Sequence, residues 1–372
     1  MNGRSRLSAL GSRLRRLRLA PDARRRRSAE SRERRAESRV RLAFLLALLL
    51  PATADAQPLR VRDAQGGWRA FWSVERAPVA WTAEDAAVAG LVRWRTVAPG
   101  LEVAELPLAA PGEAGVDALG RMQVVLARLD PARHELRLEA GSPPGAPWRV
   151  DDAPAAARVA LNAGQFTDDG PWGWIVHGGR ELQAPAVGPL SSALVVGRDG
   201  GVRLVDAVEL PAAREAARRG EIAEAVQSYP TLLAGDGVVP APLRADGRGV
   251  DLGHRDRRLA VGTLRDGRVL VALTRLDAAG LGEAVGGVLG RVPLGLTVPE
   301  MAGLMGALGA RRAVLLDGGL SAQLLVRDGA GTAQAWPGTR KVPLGLVALP
   351  RAGSAASGAA PVSGARGGPG RR

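Results

Sequence analysis

The clearest alternation of apolar and polar positions lies near the C-terminal end of the chain. Thr297 and Glu300 have the spacing of a capping box, which satisfies the free amides at a helix start. Apolar residues then recur at the spacing of one helical face, namely Met301, Leu304, Met305 and Leu308. Gly309 suits the left-handed conformation with which helices often end. Ala313–Leu316 is long enough for a buried strand and too short for a helix, so the pattern predicts a capped helix and a strand that ends at Asp317.

Upstream of this helix, short apolar runs are separated by turns rich in glycine, proline and aspartate. Three stretches have the form of a hairpin, Met122–Ala140, Ser192–Asp206 and Leu259–Leu273. A second helix is predicted over Ala212–Val226, and a last strand over Val342–Leu349. Since hairpins predominate and strands do not alternate with helices, we predict an α+β fold. The expected architecture is a mixed, mostly antiparallel sheet on which two main helices pack.

Composition divides the chain into four segments. We expect residues 1–56 to be a basic leader and signal peptide, and residues 57–90 to be a short leading region without a clear pattern. Residues 91–350 carry the predicted strands and helices and form the main domain. Residues 351–372 are rich in glycine, alanine, serine and proline, and we expect this tail to be disordered.

The net charge of +14 belongs almost entirely to the two ends of the chain. Residues 1–41 carry a net charge of +11 and residues 351–372 a net charge of +4, which leaves −1 for residues 42–350. The nearly neutral main domain also lacks interleaved aromatic and basic residues of the kind that stack on bases. We therefore expect no nucleic-acid partner.

The segment Arg39–Gln57 resembles a secretory signal peptide. Arg39 and Arg41 precede the apolar stretch Leu42–Leu50, and Ala54–Ala56 has the small-residue cleavage pattern. We expect an exported protein, periplasmic or secreted, without stable membrane insertion after cleavage; an uncleaved N-terminal anchor is the alternative. The chain has no cysteine, which excludes disulfides and thiol catalysis. The oligomeric state is left open.

The histidines give no metal-binding pattern. His134, His177 and His254 are far apart and lack zinc-ligand spacing, so no metal and no cofactor are predicted. His177 follows the Trp172–Trp174 stretch, and tryptophan faces suit sugar rings. His177 could therefore line a sugar site, or it could belong to a packed loop.

Four polar side chains stand at predicted strand ends beside glycine or a turn: Asn162, Asp236, Arg258 and Asp317. If these ends converge, one pocket would hold two carboxylates, a carboxamide and a guanidinium group. Arginine recognises phosphate through paired hydrogen bonds, and two carboxylates in unlike environments are what glycosidic cleavage requires. In the alternative interpretation, Asp317 only caps amides within its own turn.

Four blocks around these residues resemble the phosphodiester glycosidase family, which includes a bacterial domain formerly of unknown function and the lysosomal uncovering enzyme. The blocks occur in the family's order and are VALNAGQF (Val159–Phe166), QSYPTLLAGDGVV (Gln227–Val239), RLAVGTLRDGRVLV (Arg258–Val271) and LTVPEMAGLMGALGARRAVLLDGGLS (Leu296–Ser321). The resemblance implies hydrolysis of a sugar-1-phosphodiester to a free sugar and a phosphomonoester.

On this basis we expect catalytic and substrate-binding residues at defined positions. The expected catalytic residues are Asp317, Asp236 and Arg258. The expected substrate-binding residues are Asn162, Gly164, Gln227, Gly318, Gly319, Ser321 and His177. The partner would be a glycan or sugar-phosphodiester substrate of the cell envelope or extracellular space.

The chain departs from the family pattern at several points. Tyr229 stands where the second block has a glycine, Leu320 replaces the third glycine of the last block, and Leu259 replaces a threonine. These changes keep a second hypothesis open, that of a non-catalytic protein binding sugar or polysaccharide on the same fold.

Overall fold

The computed structural model describes most of the chain beyond the predicted leader. The described residues are 58–63, 65–109, 121–141, 146–188, 190–244, 252, 254–277 and 295–351. The predicted signal peptide and the predicted tail beyond Arg351 lie outside these ranges.

Short strands are the predominant regular structure of the described chain. The strands are β1 (Leu59–Arg62), β2 (Trp68–Trp72), β3 (Arg95–Ala98), β4 (Leu101–Ala109), β5 (Arg121–Leu129), β6 (His134–Ala140), β7 (Val159–Asn162), β8 (Phe166–Thr167), β9 (Gly170–Pro171), β10 (Ile175–His177), β11 (Arg180–Gln183), β12 (Ser192–Gly197), β13 (Val202–Asp206), β14 (Ile222–Ser228), β15 (Thr231–Leu233), β16 (Leu259–Leu264), β17 (Val269–Asp277), β18 (Ala310–Leu315), β19 (Leu324–Arg327), β20 (Ala333–Trp336) and β21 (Leu344–Pro350). The α-helices within the described ranges are Ala86–Ala89, Leu210–Arg218, Ala241–Arg244 and Val298–Ala307. Single 3₁₀ turns are Val74–Arg76, Val150–Asp152, Gly235–Gly237 and Gly319–Ser321.

The strands form one large sheet and two smaller ones. The nine-stranded sheet has the order β15-β18-β16-β17-β5-β4-β1-β2, with β3 paired to β4. The two five-stranded sheets have the orders β11-β10-β14-β12-β13 and β20-β19-β7-β21-β6, and β8 pairs with β9 alone. The pairings of β16 with β17 and with β18 are antiparallel, like those of the smaller sheets. The predicted α+β class with mostly antiparallel sheets is confirmed.

The nine-stranded sheet is buried on both faces. Successive side chains of a strand point to opposite faces, and in β5 Val124 and Leu126 belong to one hydrophobic cluster, whereas Val125 and Ala127 belong to another. The first cluster includes the helix Val298–Ala307. The second lies between the large sheet and residues of both five-stranded sheets. The strand ends of the large sheet therefore stand in a rigid, packed frame.

The helix Val298–Ala307 begins as the sequence predicts. Thr297 Oγ1 accepts from the Glu300 amide at 3.3 Å, and the Glu300 carboxylate accepts from the Thr297 amide at 2.9 Å. The prediction of a single apolar face is wrong, because nine of its ten residues are buried. Added Cβ atoms on its glycines at 303 and 306 would lie within 3 Å of the rings of Trp72 and Trp81, so the glycines let these rings pack on the helix.

Two predicted elements differ in the structure. The hairpins over 192–206 and 259–273 are confirmed, but Met122–Ala140 is not a hairpin. Its strands β5 and β6 belong to different sheets, because the turn at Asp130 carries the chain from one sheet to the other. The helix predicted over Ala212–Val226 ends at Arg218, and the apolar run that follows becomes strand β14. A short apolar run is compatible with either a helix or a strand, and pairing with β12 makes this run the strand β14.

Residues of the short leading region also enter the large sheet. Strand β1 pairs with β2 and with β4. Within the part of the chain that the structure describes, no helix combines the length and apolarity needed to span a membrane.

Candidate active site

A pocket of about 350 Å³ lies where several strand ends meet. Asp317 follows the end of β18, and Arg258 immediately precedes the start of β16. Because β16 and β18 are antiparallel neighbours, with Ala260 opposite Leu315, the start of one strand lies beside the end of the other. The pocket is lined by Gln165, Tyr229, Pro230, Asp256, Arg258, Val298, Leu315, Leu316, Asp317, Gly318, Gly319, Leu320, Ser321 and Arg340.

Asp317 lies in an environment that favours the protonated form of its carboxyl. Burial raises the pKa of its carboxyl above the ordinary range, and the negative charge of Asp256 acts in the same direction. A hydrogen bond with the Ser321 side chain and the positive charge of Arg340 oppose this rise in pKa. A carboxyl group held partly desolvated is suited to carry a proton into a reaction.

Asp256 supplies a second carboxylate to the same pocket. Its Oδ1 accepts from the Arg257 amide at 2.8 Å. Its Oδ2 lies 2.8 Å from the place a Cβ on Gly319 would take, and Gly319 has a φ of +54°. A side chain at position 319 would be strained and would displace the carboxylate. The Gly319 amide donates to the Arg257 carbonyl at 2.8 Å, which fixes the turn after Asp317 against Asp256.

Two guanidinium groups line the pocket, and they are held differently. Arg258 is buried, and its Nε donates to the Leu296 carbonyl at 2.9 Å while Nη2 donates to the His254 carbonyl. Arg340 is about half exposed and stacks over the Phe166 ring, 4.7 Å from its centre. Arg258 therefore provides a fixed positive charge, and Arg340 provides a charge that can reach a ligand from solvent.

Asn162 and Gly164 hold the backbone of the site without lining the pocket. Asn162 Nδ2 donates to the Asp317 carbonyl at 2.9 Å, and its Oδ1 accepts from the Gln323 amide at 3.0 Å. The Gly164 carbonyl accepts from the Asp317 amide at 3.2 Å. Gly164 has a φ of +66°, and a Cβ there would lie 2.8 Å from Val226. Both residues therefore act on the position of Asp317.

Three predicted site residues lie away from this pocket. Asp236 is an exposed residue whose carboxylate pairs with Arg311 at 2.8 Å. Gln227 is fully buried, and its amide bonds to the backbone at residues 174 and 186. The His177 ring pairs with buried Glu224 at 3.0 Å. Strand direction explains the place of Asp236: β15 runs antiparallel to β18, so its far end lies beside the start of β18, opposite the pocket.

Four pocket residues were not predicted from the sequence, namely Asp256, Gln165, Tyr229 and Arg340. A signal for Asp256 was present, because it stands two residues before Arg258 and side chains two apart in extended backbone share a face. Tyr229 was noted only as a departure from a glycine position. Arg340 carries no local pattern, since it comes from a loop distant in sequence.

The polar side-chain groups of the pocket are two carboxylates, two guanidinium groups, two hydroxyls and an amide. Among the described residues, no group of three or more histidine, aspartate or glutamate side chains is arranged to hold a metal ion. The carboxylates of the pocket suit proton transfer, and its guanidinium groups suit the binding of an anion.

The described fold is an antiparallel α+β frame with two carboxylates and two arginines at its strand ends, an arrangement whose chemistry suits proton transfer to an anionic ligand. Residues 155–349, just over half of the chain, match the family model described as phosphodiester glycosidase. The chain belongs to the phosphodiester glycosidase family. The resemblance inferred from the four sequence blocks is therefore confirmed.

Solved structures are similar to the chain at low sequence identity. The catalytic domain of zebrafish N-acetylglucosamine-1-phosphodiester alpha-N-acetylglucosaminidase has a TM-score of 0.50 at 14% identity, over 70% of this chain and 88% of that chain. A hypothetical protein from Synechocystis has a TM-score of 0.47 at 15% identity, over 70% of this chain and 64% of that chain. A Burkholderia pseudomallei protein described as a putative exported protein has a TM-score of 0.43 at 15% identity, over 70% of this chain and 96% of that chain. No curated protein sequence matches the chain.

Proposed function

We propose that the protein is an exported glycoside hydrolase that cleaves a sugar-1-phosphodiester to a free sugar and a phosphomonoester. The observation that carries this proposal is the pairing of Asp317, whose pKa is raised, with Asp256 in one pocket that also holds two arginines. Family membership supports the reaction class.

In the proposed reaction the bond between the anomeric carbon and the phosphate oxygen breaks. Asp317, whose pKa is raised by burial, donates a proton to the departing oxygen. Asp256 either activates a water molecule or attacks the anomeric carbon directly. The oxygen of water ends on the sugar, and the phosphate keeps its ester to the second alcohol.

The arginines would hold the anionic part of the substrate. Arg340, reachable from solvent, would bind the phosphate oxygens, and the fixed charge of Arg258 would stabilise the negative charge that grows on the departing phosphate. Phosphate is already a good leaving group, so this charge stabilisation would carry much of the catalysis. Asp236, the second carboxylate predicted from the sequence, does not line this pocket, and we assign its role to Asp256.

Hydrolysis in ¹⁸O-labelled water tests both the reaction and the bond that breaks. The purified protein should convert sugar-1-phosphodiesters to phosphomonoesters, followed by ³¹P NMR, with the label on the sugar and none on phosphorus. Replacing either Asp317 or Asp256 by asparagine should lower kcat by at least a hundredfold. Label on phosphorus would show a phosphodiesterase instead. A large loss in Asp236→Asn with full activity in Asp256→Asn would return the second role to Asp236.

The alternative is a non-catalytic sugar-binding protein. The bulky residues at two glycine positions of the family pattern, Tyr229 and Leu320, favour it. Saturable sugar binding without any turnover across the same phosphodiesters would support this alternative. For export, we propose cleavage at the predicted Ala54–Ala56 site; a mature protein that still begins well before Gln57 would contradict it.

A further inference from the structure

A second pocket, of about 420 Å³, lies at the other end of strands β16 and β18 from Asp317. Its lining includes Arg265, which follows the end of β16, and Leu308, which comes shortly before β18. Strand β16 has six residues, so at about 3.3 Å per residue it separates the two pockets by about 20 Å. The two pockets have no lining residue in common. We call the second one the Arg265 pocket, and its volume is that of a small-molecule site.

Buried apolar side chains form the bottom of the Arg265 pocket. Val92, Leu270 and Leu308 line it and are buried. The half-buried Trp94 ring lies on the same lining, and the Arg128 guanidinium group lies over this ring, 4.1 Å from its centre. An apolar surface with an aromatic ring of fixed position can cover the C–H face of a sugar ring.

A network of ion pairs fixes two arginines on the wall of this pocket. Glu102 accepts from Arg128 Nε at 2.5 Å and from Arg268 Nη1 at 2.9 Å. Asp266 accepts from Arg268 Nε at 2.7 Å. The hydrogen bond from Arg128 holds the pKa of the Glu102 carboxyl below its ordinary value. These side chains are therefore ordered before a ligand arrives, which lowers the entropy cost of binding.

Two exposed groups of opposite charge stand outside this network. Arg265 donates from Nη2 to the Trp81 carbonyl at 2.8 Å, and among the described residues no carboxylate pairs with it. Glu84 lies beside Gly309, where an added Cβ would stand 3.6 Å from Glu84 Oε2. Arginine binds carboxylate or phosphate through paired hydrogen bonds, whereas a carboxylate accepts hydrogen bonds from hydroxyl groups. A ligand that satisfies both side chains carries an anionic group and hydroxyls.

We propose that the Arg265 pocket binds an anionic sugar residue, with its ring on the apolar bottom, its anionic group on Arg265 and its hydroxyls on Glu84. Uronic acids and phosphorylated sugars share this chemistry. An acidic peptide would supply the anion but no hydroxyl for Glu84, whose charge would repel it. This binding site lies outside the candidate active site and goes beyond the proposed hydrolysis.

NMR of the tryptophan indole groups tests the proposal on the full-length protein. Trp94 is one of eight tryptophans, and its signal is identified by its loss in Trp94→Phe. Methyl glucuronide should shift this signal saturably, and methyl glucoside, the same ring with a neutral substituent, should shift it far less. Methyl glucoside 6-phosphate shows whether the site prefers phosphate or carboxylate. Arg265→Gln should weaken binding by at least about tenfold, because a hydrogen bond to a charged group is lost.

Two control variants and a small anion make the test specific. Arg340→Gln alters the pocket of Asp317, and Arg180→Gln alters an exposed arginine on the edge strand β11 of another sheet. Both should bind methyl glucuronide as the parent does. An equal shift with acetate or with methyl glucoside, or unchanged binding in Arg265→Gln, would overturn the proposal. The readout is binding, so the result is independent of whether the protein hydrolyses a phosphodiester.

Discussion

Replacing Asn162 by alanine removes the side chain that ties Asp317 to the neighbouring sheet. Asn162 is buried, and its two hydrogen bonds go to the Asp317 carbonyl at 2.9 Å and the Gln323 amide at 3.0 Å. The substitution leaves the buried Gln323 amide and the partly buried Asp317 carbonyl without these partners. Each such group costs about 1–3 kcal/mol, so we expect the free energy of unfolding to fall by about 2–6 kcal/mol. That is a large share of the roughly 5–15 kcal/mol that holds a typical domain folded.

The same substitution should also affect catalysis, because Asp317 loses a support of its main chain. A displacement of about 1 Å in a reacting group can lower a rate on the order of a hundredfold, and we expect kcat to fall by about ten- to a hundredfold while KM changes little. Urea unfolding followed by tryptophan fluorescence gives the stability, and phosphomonoester release gives kcat below the unfolding transition.

A matched control on the same sheet separates stability from positioning. Arg327 donates from Nη1 to the Pro154 and Ala157 carbonyls at 3.3 and 2.6 Å, and it does not line the pocket. Arg327→Leu should therefore lower the urea midpoint and leave kcat unchanged. If Asn162→Ala loses stability but keeps the kcat of this control, the claim that Asn162 positions Asp317 is refuted.

Three further predictions concern the acid, the cap and the buried helix. Because the pKa of Asp317 is raised in the folded state, its charged form disfavours folding at pH values above that pKa. Asp317→Asn should therefore melt at a higher temperature than the parent at neutral pH, and this difference should vanish in acid. The parent's kcat should fall as the pH rises through the same pKa. Thr297→Ala removes the acceptor of the Glu300 amide and should cost about 1 kcal/mol in urea unfolding, with Thr297→Ser close to the parent. Gly306→Ala would place a Cβ 2.1 Å from the Trp81 ring and should cost about 1–3 kcal/mol; an unchanged midpoint would contradict this packing.

The sequence by itself determined those features whose causes are local. The capping box at Thr297, the left-handed stop at Gly309 and the hairpins at 259–273 and 192–206 follow from residues within a few positions of one another. The family also followed from the sequence, because four ordered blocks lie inside the matched residues 155–349.

Only the tertiary structure decided which strand ends share a pocket. Strand β18 runs antiparallel to both β16 and β15, so the starts of these two strands, with Asp256 and Tyr229, lie beside its end at Asp317. The end of β15 lies beside the start of β18, which carries Asp236 to Arg311 instead. The sequence of a strand predicts where the strand ends. Which residues lie beside that end depends on the direction of the neighbouring strand, because backbone pairing is set by the packing of the whole sheet.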